Sequence, residues 1–290
     1  MYARVRDTTL FFDVEGVGLR AEPDRMVEKP VAILVHGGPG GEHTNFKPVM
    51  SPLAERMQLV YYDHRGHGRS ARGPQSSYTM ENNVEDLEAL RQYLGLDKIV
   101  LYGQSYGGMV ALAYAVRYPE NLSHLILTVT SPSYEFLERA QENLAARGTP
   151  EQQEAGQRLF AGAFEDDEDL RSFFKTMWPL YSGKYDPAKA NARWGKAIVN
   201  HEAINEGFGG FLRTYDVRDQ LHKITCPTLI ICGRHDWICP PDQSEAIKAG
   251  IPHADLRIFE ESGHTVAADE TEAFLDVIKG FLPYNRSGAA

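Results

Sequence analysis

The chain has 290 residues, of which 42% are hydrophobic and 24% charged, so a large buried core is possible and wholesale disorder is excluded. A formal net charge of −10 argues against nucleic-acid partners, because an acidic surface repels phosphates. The cysteines Cys226, Cys232 and Cys239 are odd in number and lack C-x-x-C spacing, which argues against a disulfide scaffold and a cysteine metal site.

The first residues lack the apolar stretch of a signal peptide, and no apolar run approaches the roughly 18 residues of a membrane span. We therefore expect a cytoplasmic protein that does not cross a membrane. On that basis, the two N-x-S sequons at Asn121 and Asn285 are interpreted as chance matches.

Short apolar runs alternate with helical patterns along the chain. Continuous apolar runs are typical of strands buried on both faces, as in parallel sheets. Their alternation with helices predicts an α/β protein with a mostly parallel sheet and helices on both faces. The predicted elements are an antiparallel start at 2–6 and 11–14, strands at 31–36 and 58–62, a helix through Val84, Leu87, Leu90 and Leu94 that stops near Gly95, a strand at 99–102, a helix at 107–118, strands at 125–129, 228–232 and 256–259, and a helix at 271–282.

The pattern changes between about residues 132 and 222. This stretch looks polar and helical, and it lacks a convincing buried strand. A strand pattern resumes after Pro227. We interpret 132–222 as a helical cap inserted into a core formed by 1–131 and 223–290.

Ser105 lies in Gly-Gln-Ser-Tyr-Gly at 103–107, which matches G-x-S-x-G. The motif alone is modest evidence, but a strand precedes it and a buried helix follows it. A nucleophile elbow requires that order of strand, turn and helix. The sequence therefore predicts that Ser105 is exposed above the sheet, at a helix N-terminus, as the nucleophile of a serine hydrolase.

A serine hydroxyl needs a base to take its proton. In a fold with this elbow the partners follow in the order Ser, Asp, His. Asp236 comes just after the strand at 228–232, and His264 comes after the strand at 256–259. Both lie at carboxyl ends of strands, where an open α/β sheet places its chemistry. We predict that His264 is the base and that Asp236 orients it.

Other histidines and acids are less suited to these roles by position. His235 directly neighbours the predicted triad acid and cannot easily fold back onto it. His253 precedes its strand, at the wrong end of the sheet, and His64 and His67 belong to another loop. Asp242 remains as the rival acid.

The glycine-rich run at 36–41 follows a predicted strand. Glycines let backbone N–H groups approach a developing oxyanion, which needs two donors. We predict one donor at Tyr106, directly after the nucleophile, and the other at Gly37 or Gly38. A phosphate-binding loop is disfavoured, because neither G-K-[ST] nor G-x-G-x-x-G occurs here.

Three motifs together resemble the proline iminopeptidase family of α/β hydrolases. They are His-Gly-Gly-Pro-Gly at 36–40, Asp-His-Arg-Gly-His-Gly-Arg-Ser at 63–70, and the elbow Gly-Gln-Ser-Tyr-Gly-Gly at 103–108. The resemblance implies the α/β-hydrolase fold, a cap over the active site and hydrolysis of small substrates. In peptidases of this family it further implies removal of an N-terminal residue, often proline.

One position departs from the family. In those peptidases an acidic residue follows the triad aspartate and helps to bind the free amine of the substrate, whereas this chain has Trp237 there. A second amine-binding glutamate comes from the cap, and Glu206 is the nearest match by its distance from Asp236. A buried ammonium needs paired charge, so the missing carboxylate weakens amine recognition. We predict that Trp237 instead forms a flat apolar wall.

Two enzymatic hypotheses follow. The first is an aminopeptidase of the proline iminopeptidase type, and the alternative is a carboxylesterase or amidase for neutral hydrophobic substrates. A ligand-binding receptor on a hydrolase scaffold is disfavoured by the intact candidate triad, and dehalogenase or epoxide-hydrolase chemistry by serine at the elbow. The partner we expect is a small molecule or a short peptide, and no metal or organic cofactor is indicated.

Overall fold

The computed structural model describes residues 1–184 and 186–282, so the Asn285 sequon lies outside the described residues. The strands are β1 (Tyr2–Val5), β2 (Thr8–Glu15), β3 (Leu19–Ala21), β4 (Met26–Glu28), β5 (Val31–Val35), β6 (Gln58–Tyr62), β7 (Ile99–Gln104), β8 (Leu122–Thr128), β9 (Thr228–Gly233) and β10 (Asp255–Phe259). The α-helices are α1 (Met80–Tyr93), α2 (Tyr106–Arg117), α3 (Phe136–Arg147), α4 (Pro150–Ala161), α5 (Asp167–Tyr181), α6 (Pro187–Trp194), α7 (His201–Gly209), α8 (Pro241–Gly250), α9 (Val266–Asp269) and α10 (Thr271–Phe281).

Eight strands form one sheet in the order β1-β2-β6-β5-β7-β8-β9-β10. The pairs β1–β2 and β2–β6 are antiparallel, and every pair from β6 to β10 is parallel. This confirms the predicted mostly parallel sheet with an antiparallel start. The carboxyl ends of β5, β7, β9 and β10 therefore meet along one edge, where ligands bind in open α/β sheets.

Both faces of the sheet are covered, which explains the continuous apolar runs. Alternate side chains of a strand point to opposite faces. In β5, Ile33 and Val35 pack into one buried cluster with α1 and α2. Ala32 and Leu34 pack into a second cluster with α10. The strand is apolar at each of these positions because water reaches neither face.

The hairpin β3–β4 and the helices α8 and α9 were not predicted. The hairpin β3–β4 has three residues in each strand and is largely exposed, so it carries no apolar periodicity. Helix α8 buries only Ile247 among its larger apolar residues, and one such residue is too few to reveal a helical stripe. The predicted helix at 107–118 is α2, and the helix predicted to stop near Gly95 is α1.

The segment between β8 and β9 contains helices α3 to α7. We call residues 132–222 the inserted segment. Its buried side chains, such as Phe173 and Met177, belong to the same cluster as one face of the sheet. It therefore packs onto the rest of the protein through apolar contacts. None of the described helices is long and apolar enough to cross a membrane.

Candidate active site

Ser105 occupies the turn between β7 and α2. Its backbone has φ 56° and ψ −124°, a conformation that costs a non-glycine residue energy and needs support from its surroundings. The support comes from both sides: the Ser105 N–H donates to the carbonyl of Thr128 at 2.9 Å, and Thr130 Oγ1 donates to the Ser105 carbonyl at 2.7 Å. This turn presents the hydroxyl at the N-terminus of α2.

The two glycines of the elbow are fixed by close approach. A Cβ on Gly107 would lie 2.1 Å from the carbonyl oxygen of Val35, and one on Gly103 would lie 2.7 Å from Cβ of Ala111. Both distances are too short for real contacts. The motif therefore carries glycine there because α2 starts tightly against β5 and β7.

His264 joins Ser105 to Asp236. His264 Nε2 lies 2.9 Å from Ser105 Oγ, and its Nδ1 lies 2.7 Å from Asp236 Oδ2. The chain between β10 and α9 carries the histidine, and the loop after β9 carries the aspartate. The structure thus brings together the three residues expected from the sequence, although they are far apart along the chain.

The carboxylate of Asp236 is buried and fixed. Its Oδ1 accepts the backbone N–H groups of Ile238 and Cys239, each at 3.0 Å. Its other oxygen remains for the imidazole. Such an arrangement holds the Nδ1–H tautomer, so that Nε2 is free to accept the serine proton.

The glycine-rich loop lies beside the serine. Gly37, Gly38, Ser105 and Tyr106 line the same cavity. A Cβ on Gly37 would lie 3.1 Å from Cβ of Ser105, so a larger residue would crowd the nucleophile. Tyr106 begins α2, where backbone N–H groups have no acceptor within the helix. These amides are placed to donate to an oxygen bound near Ser105.

Three buried histidines lie behind this loop. His36 Nδ1 lies 2.8 Å from the Gly37 carbonyl, and the His64 N–H donates to His36 Nε2 at 3.3 Å. These bonds require a neutral His36 that donates from Nδ1. Burial lowers the pKa of His36, lowers that of His64 well below its ordinary value, and lowers that of His67 to about 3. His36 therefore connects the glycine loop to the loop after β6.

Among the described residues, Glu42, His43 and Asp63 form a group of metal-ligand types. Their polar atoms already have partners. Asp63 Oδ1 lies 2.8 Å from His43 Nδ1, and Glu42 pairs with Arg69 at 2.6 Å. These contacts bind the loop after β6 to the glycine loop, and we assign the group that structural role.

Helices of the inserted segment cover the serine. The cavity is mainly apolar and aromatic, and no Asp or Glu lines it among the described residues. Its lining from the inserted segment consists of Phe136, Leu159, Phe174, Trp178, Tyr181, Arg193, Trp194, Ile204, Phe208 and Leu212. The remaining lining includes Asn45, Gln104, Met109, Ile238, Cys239 and Thr265. The cavity therefore favours a substrate with an apolar body.

The structure corrects two predictions about substrate contacts. Trp237 is 0% exposed and does not line the cavity; it lies behind Tyr181, with ring centroids 5.4 Å apart. Glu206 also does not line the cavity among the described residues. Helix α7 turns Ile204 and Phe208 inward, and successive residues rotate by about 100°, which points Glu206 away.

The rival residues lie elsewhere. Asp242 pairs with Arg139 at 2.7 Å near the surface. His253 Nε2 lies 3.0 Å from the carbonyl of Cys226, and His235 is exposed. His64 and His67 are buried behind the glycine loop.

The aromatic lining of the cavity was missed in the sequence. Phe174, Trp178 and Tyr181 follow one another on α5 at intervals of four and three residues, which places them on one helix face. That spacing is visible in the sequence and marks an apolar stripe. The polar composition of the inserted segment as a whole concealed it.

Comparison with known proteins places the chain among hydrolases. A family model described as the alpha/beta hydrolase fold matches residues 30–271. Proline iminopeptidase PfmaB of Pestalotiopsis fici is 32% identical over 278 residues, covering 94% of this chain and 98% of the relative. A proline iminopeptidase of Saccharolobus solfataricus is 32% identical over 260 residues, covering 86% and 84%.

A solved structure gives the same result for the fold. The esterase from Exiguobacterium antarcticum superposes with a TM-score of 0.75 at 25% identity, covering 97% of this chain and 98% of the esterase. The sheet order, the elbow and these matches agree with one another. The chain belongs to the proline iminopeptidase family of α/β hydrolases, and it is a serine hydrolase.

Proposed function

We propose that the protein cleaves a small amide or ester through an acyl-enzyme, with Ser105 as nucleophile, His264 as base and Asp236 as its orienting carboxylate. The observation that carries the proposal is the pair of contacts from His264, 2.9 Å to Ser105 Oγ and 2.7 Å to Asp236 Oδ2. A chain of serine, imidazole and carboxylate activates a hydroxyl that is otherwise a poor nucleophile.

The reaction then takes two steps. Ser105 Oγ attacks the substrate carbonyl while its proton passes to His264 Nε2, and the imidazolium returns that proton to the leaving amine or alcohol. Water attacks the acyl group in the second step, with His264 again as base. The N–H of Tyr106 and that of Gly37 or Gly38 stabilise the oxyanion in both steps.

The first candidate substrate is a short peptide, cleaved after an N-terminal residue such as proline. This candidate rests on the relatives, whose names describe proline iminopeptidases. The second candidate is a hydrophobic ester or amide. The aromatic lining of the cavity, which contains no carboxylate among the described residues, favours it because a substrate ammonium would lack a counter-charge.

Covalent labelling combined with a substrate panel tests the proposal. A fluorophosphonate should label the wild type at Ser105, and Ser105→Ala should abolish the label. That variant should also lose turnover by about four powers of ten, the usual scale for losing a triad member. The panel comprises proline β-naphthylamide, other amino-acid arylamides and short p-nitrophenyl esters, so that it separates the two candidates.

Ser172→Ala is the matched control, because Ser172 is exposed on α5 and should be replaceable without loss of label or turnover. Near-normal turnover by Ser105→Ala would refute the proposed nucleophile. Turnover of every ester but no arylamide would eliminate the aminopeptidase candidate and keep the second.

We also propose that residues 132–222 form a cap domain and that 1–131 and 223–290 form the core. Limited proteolysis should then cut first near residues 132 and 222.

A cytoplasmic location is a further proposal, which the three free cysteines support because thiols stay reduced there. Cell fractionation checks it.

A further inference from the structure

Arg193, in α6, is the feature of the cavity that the proposed mechanism does not use. It lines the cavity together with Ser105 and His264. Among the described lining residues it is the only lysine or arginine, and none is an Asp or Glu. The wall above the nucleophile therefore carries a positive charge without a negative one.

Aromatic rings hold the guanidinium, but no hydrogen-bond acceptor among the described residues contacts it. Its Cζ lies 4.9 Å from the ring centroid of Trp178 and 5.5 Å from that of Trp194. Its Nε is buried and has no hydrogen-bond partner in the described part of the protein, and no described carboxylate lies within 4.0 Å of it. A guanidinium has five N–H donors in a planar fork, and here they remain free for a ligand.

A second donor on the same wall also lacks a partner. The indole Nε1 of Trp194 is buried without an acceptor among the described residues, and Trp194 lines the cavity beside Arg193. Its ring stacks on Phe174 at 4.0 Å between centroids, so the indole is fixed. Unsatisfied buried donors are costly, so a ligand that brings an acceptor to this wall would be stabilised by both groups.

Burial of Arg193 lowers its pKa to about 10, because desolvation disfavours the charged form. The group is still protonated at neutral pH. A negatively charged ligand would compensate for the solvation that the Arg193 guanidinium loses on burial.

Nearby acids do not supply that charge. Arg193 also borders an outer groove that contains Glu42, Asp186 and Asp269. Glu42 is already paired with Arg69 at 2.6 Å. Asp269 accepts from Ser182 Oγ at 2.7 Å and from the N–H groups of Gly183 and Gly263 at 2.9 and 3.0 Å. Asp186 accepts the N–H of Ala188 at 2.9 Å and has a further partner, so all three carboxylates are engaged in other contacts.

We infer that Arg193 is a specificity residue that binds a carboxylate of the substrate, with the Trp194 N–H as a further donor. The inference rests on the proposed function and narrows it: the substrate is a small ester or amide with an apolar body and a free carboxylate. A dipeptide, with its C-terminal carboxylate in the leaving group, belongs to this class. An acyl chain that ends in a carboxylate belongs to it as well.

Matched ester pairs test the inference, because each pair differs only in the charge of one group. In one pair, mono-p-nitrophenyl glutarate is compared with its methyl ester, which places the carboxylate on the acyl side. In the other, 4-acetoxybenzoate is compared with its methyl ester, which places it in the leaving group. The wild type should prefer the acid in at least one pair by about 10- to 100-fold in kcat/KM, the scale of a charge-assisted hydrogen bond.

The variants are Arg193→Gln, Arg193→Lys and, as control, Lys175→Gln. Arg193→Gln should reduce the preference at least tenfold, chiefly through KM of the acid. Arg193→Lys should keep part of the preference, because it retains the charge but loses the fork. Lys175 lies on the outer side of α5, where its Nζ is 3.7 Å from Glu168, and its replacement should leave the preference unchanged. The preference is the ratio of kcat/KM for the acid to kcat/KM for its methyl ester. Because both are measured on the same enzyme preparation, this ratio does not depend on the fraction of folded enzyme.

Protection of Ser105 against the fluorophosphonate gives a readout without turnover. In the wild type, 4-phenylbutyrate should protect at lower concentration than 4-phenylbutyramide, and in Arg193→Gln the two should be equal. Equal kcat/KM within both pairs of the wild type, or an equal loss for both members in Arg193→Gln, would overturn the inference while the hydrolase assignment stands. Absence of both labelling and ester turnover in the wild type would instead refute the proposed function.

Discussion

Asp236 shows how the backbone determines what a side chain can do in this site. Its Oδ1 accepts two backbone N–H groups, from Ile238 and Cys239, and Oδ2 faces His264 Nδ1. The two N–H groups therefore require a hydrogen-bond acceptor at the Oδ1 position, and this holds for any residue that replaces Asp236. The consequence is that an amide at residue 236 has only one orientation.

We predict that Asp236→Asn lowers kcat by about four powers of ten, the scale found when a triad carboxylate becomes an amide. The amide oxygen must accept the N–H groups of Ile238 and Cys239, so the amide NH2 points at His264 Nδ1. Nε2 then carries the proton and cannot act as base. Steady-state kinetics with a p-nitrophenyl ester measure the loss.

Asp242→Asn is the matched control, because Asp242 pairs with Arg139 near the surface; kcat should stay within about twofold. The melting temperature of Asp236→Asn should stay close to that of the wild type. A large loss of kcat in the control, or near-normal kcat in Asp236→Asn, would contradict the role given to Asp236.

The sequence indicates the proposed triad because each member lies on the turn or loop that follows a strand. Ser105, Asp236 and His264 inherit their positions from the ends of β7, β9 and β10, and strand ends are readable as the limits of apolar runs. Trp237 and Arg193 are different cases. Whether a side chain on a loop or short helix enters a cavity depends on the rotation of that element, which no local pattern records. For that reason Trp237 was placed in the cavity wrongly and Arg193 was overlooked.

At the scale of elements, Asp269 joins the inserted segment to the histidine loop. Its carboxylate accepts from Ser182 Oγ and Gly183 N–H, directly after α5. It also accepts from Gly263 N–H and Thr265 Oγ1, on either side of His264. One side chain thus fixes both the end of a cavity-lining helix and the loop that carries His264, the proposed base.

We predict that Asp269→Asn lowers the free energy of unfolding by about 1–3 kcal/mol, the cost of leaving a buried donor without its acceptor. Both donors at Oδ2 are backbone N–H groups, so the amide oxygen of asparagine must occupy that position. The amide NH2 then faces the hydroxyls of Ser182 and Thr265, which lose the acceptor they had at Oδ1. kcat should fall as well, because His264 loses its fixed loop. Urea unfolding and ester kinetics measure both effects.

Asp276→Asn is the control, because Asp276 is exposed on α10. We expect no more than about 0.5 kcal/mol change for it. Unchanged stability and unchanged kcat in Asp269→Asn would show that Asp269 does not fix the two segments.

The prediction of elements succeeded where a strand or helix buries a continuous surface, as for β5, β7 and α2. It failed for β3, β4 and α8, whose stability comes from neighbouring elements rather than from their own apolar pattern. The inserted segment was recognised as helical, but its position over Ser105 follows from packing of Phe173 and its neighbours in the shared core, which spacing along the chain does not encode.

At the scale of the whole molecule, three buried histidines make stability depend on pH. Burial lowers the pKa of His36, His64 and His67, the last to about 3. The unfolded chain therefore binds more protons than the folded chain as the pH falls below about 6.5. The stabilising contribution is complete above that pH and is lost progressively towards pH 3.

We predict that His67→Asn weakens this dependence. The Nδ1 of His67 lies 2.7 Å from the carbonyl of Arg65, and the amide of asparagine can donate in its place without titrating. Between about pH 4 and 6 the slope of unfolding free energy against pH should decrease by up to about 1.4 kcal/mol per pH unit, the value for one proton. Urea unfolding at several pH values measures the slope.

His222→Asn replaces an exposed histidine and should leave the slope as in the wild type. An identical slope in His67→Asn and in the wild type would show that His67 takes up no proton on unfolding.

The division of the cavity wall between two parts of the chain has an evolutionary consequence. The residues that we propose to break and form bonds follow strands of the sheet, whereas most of the wall of the rest of the cavity comes from helices α3 to α7. Mutations in that wall can redirect the enzyme to a new compound while its bond-breaking apparatus stays intact. The type of reaction and the choice of substrate can therefore evolve separately in this protein. A mutant library restricted to the cavity wall is the most direct way to change which compound it hydrolyses.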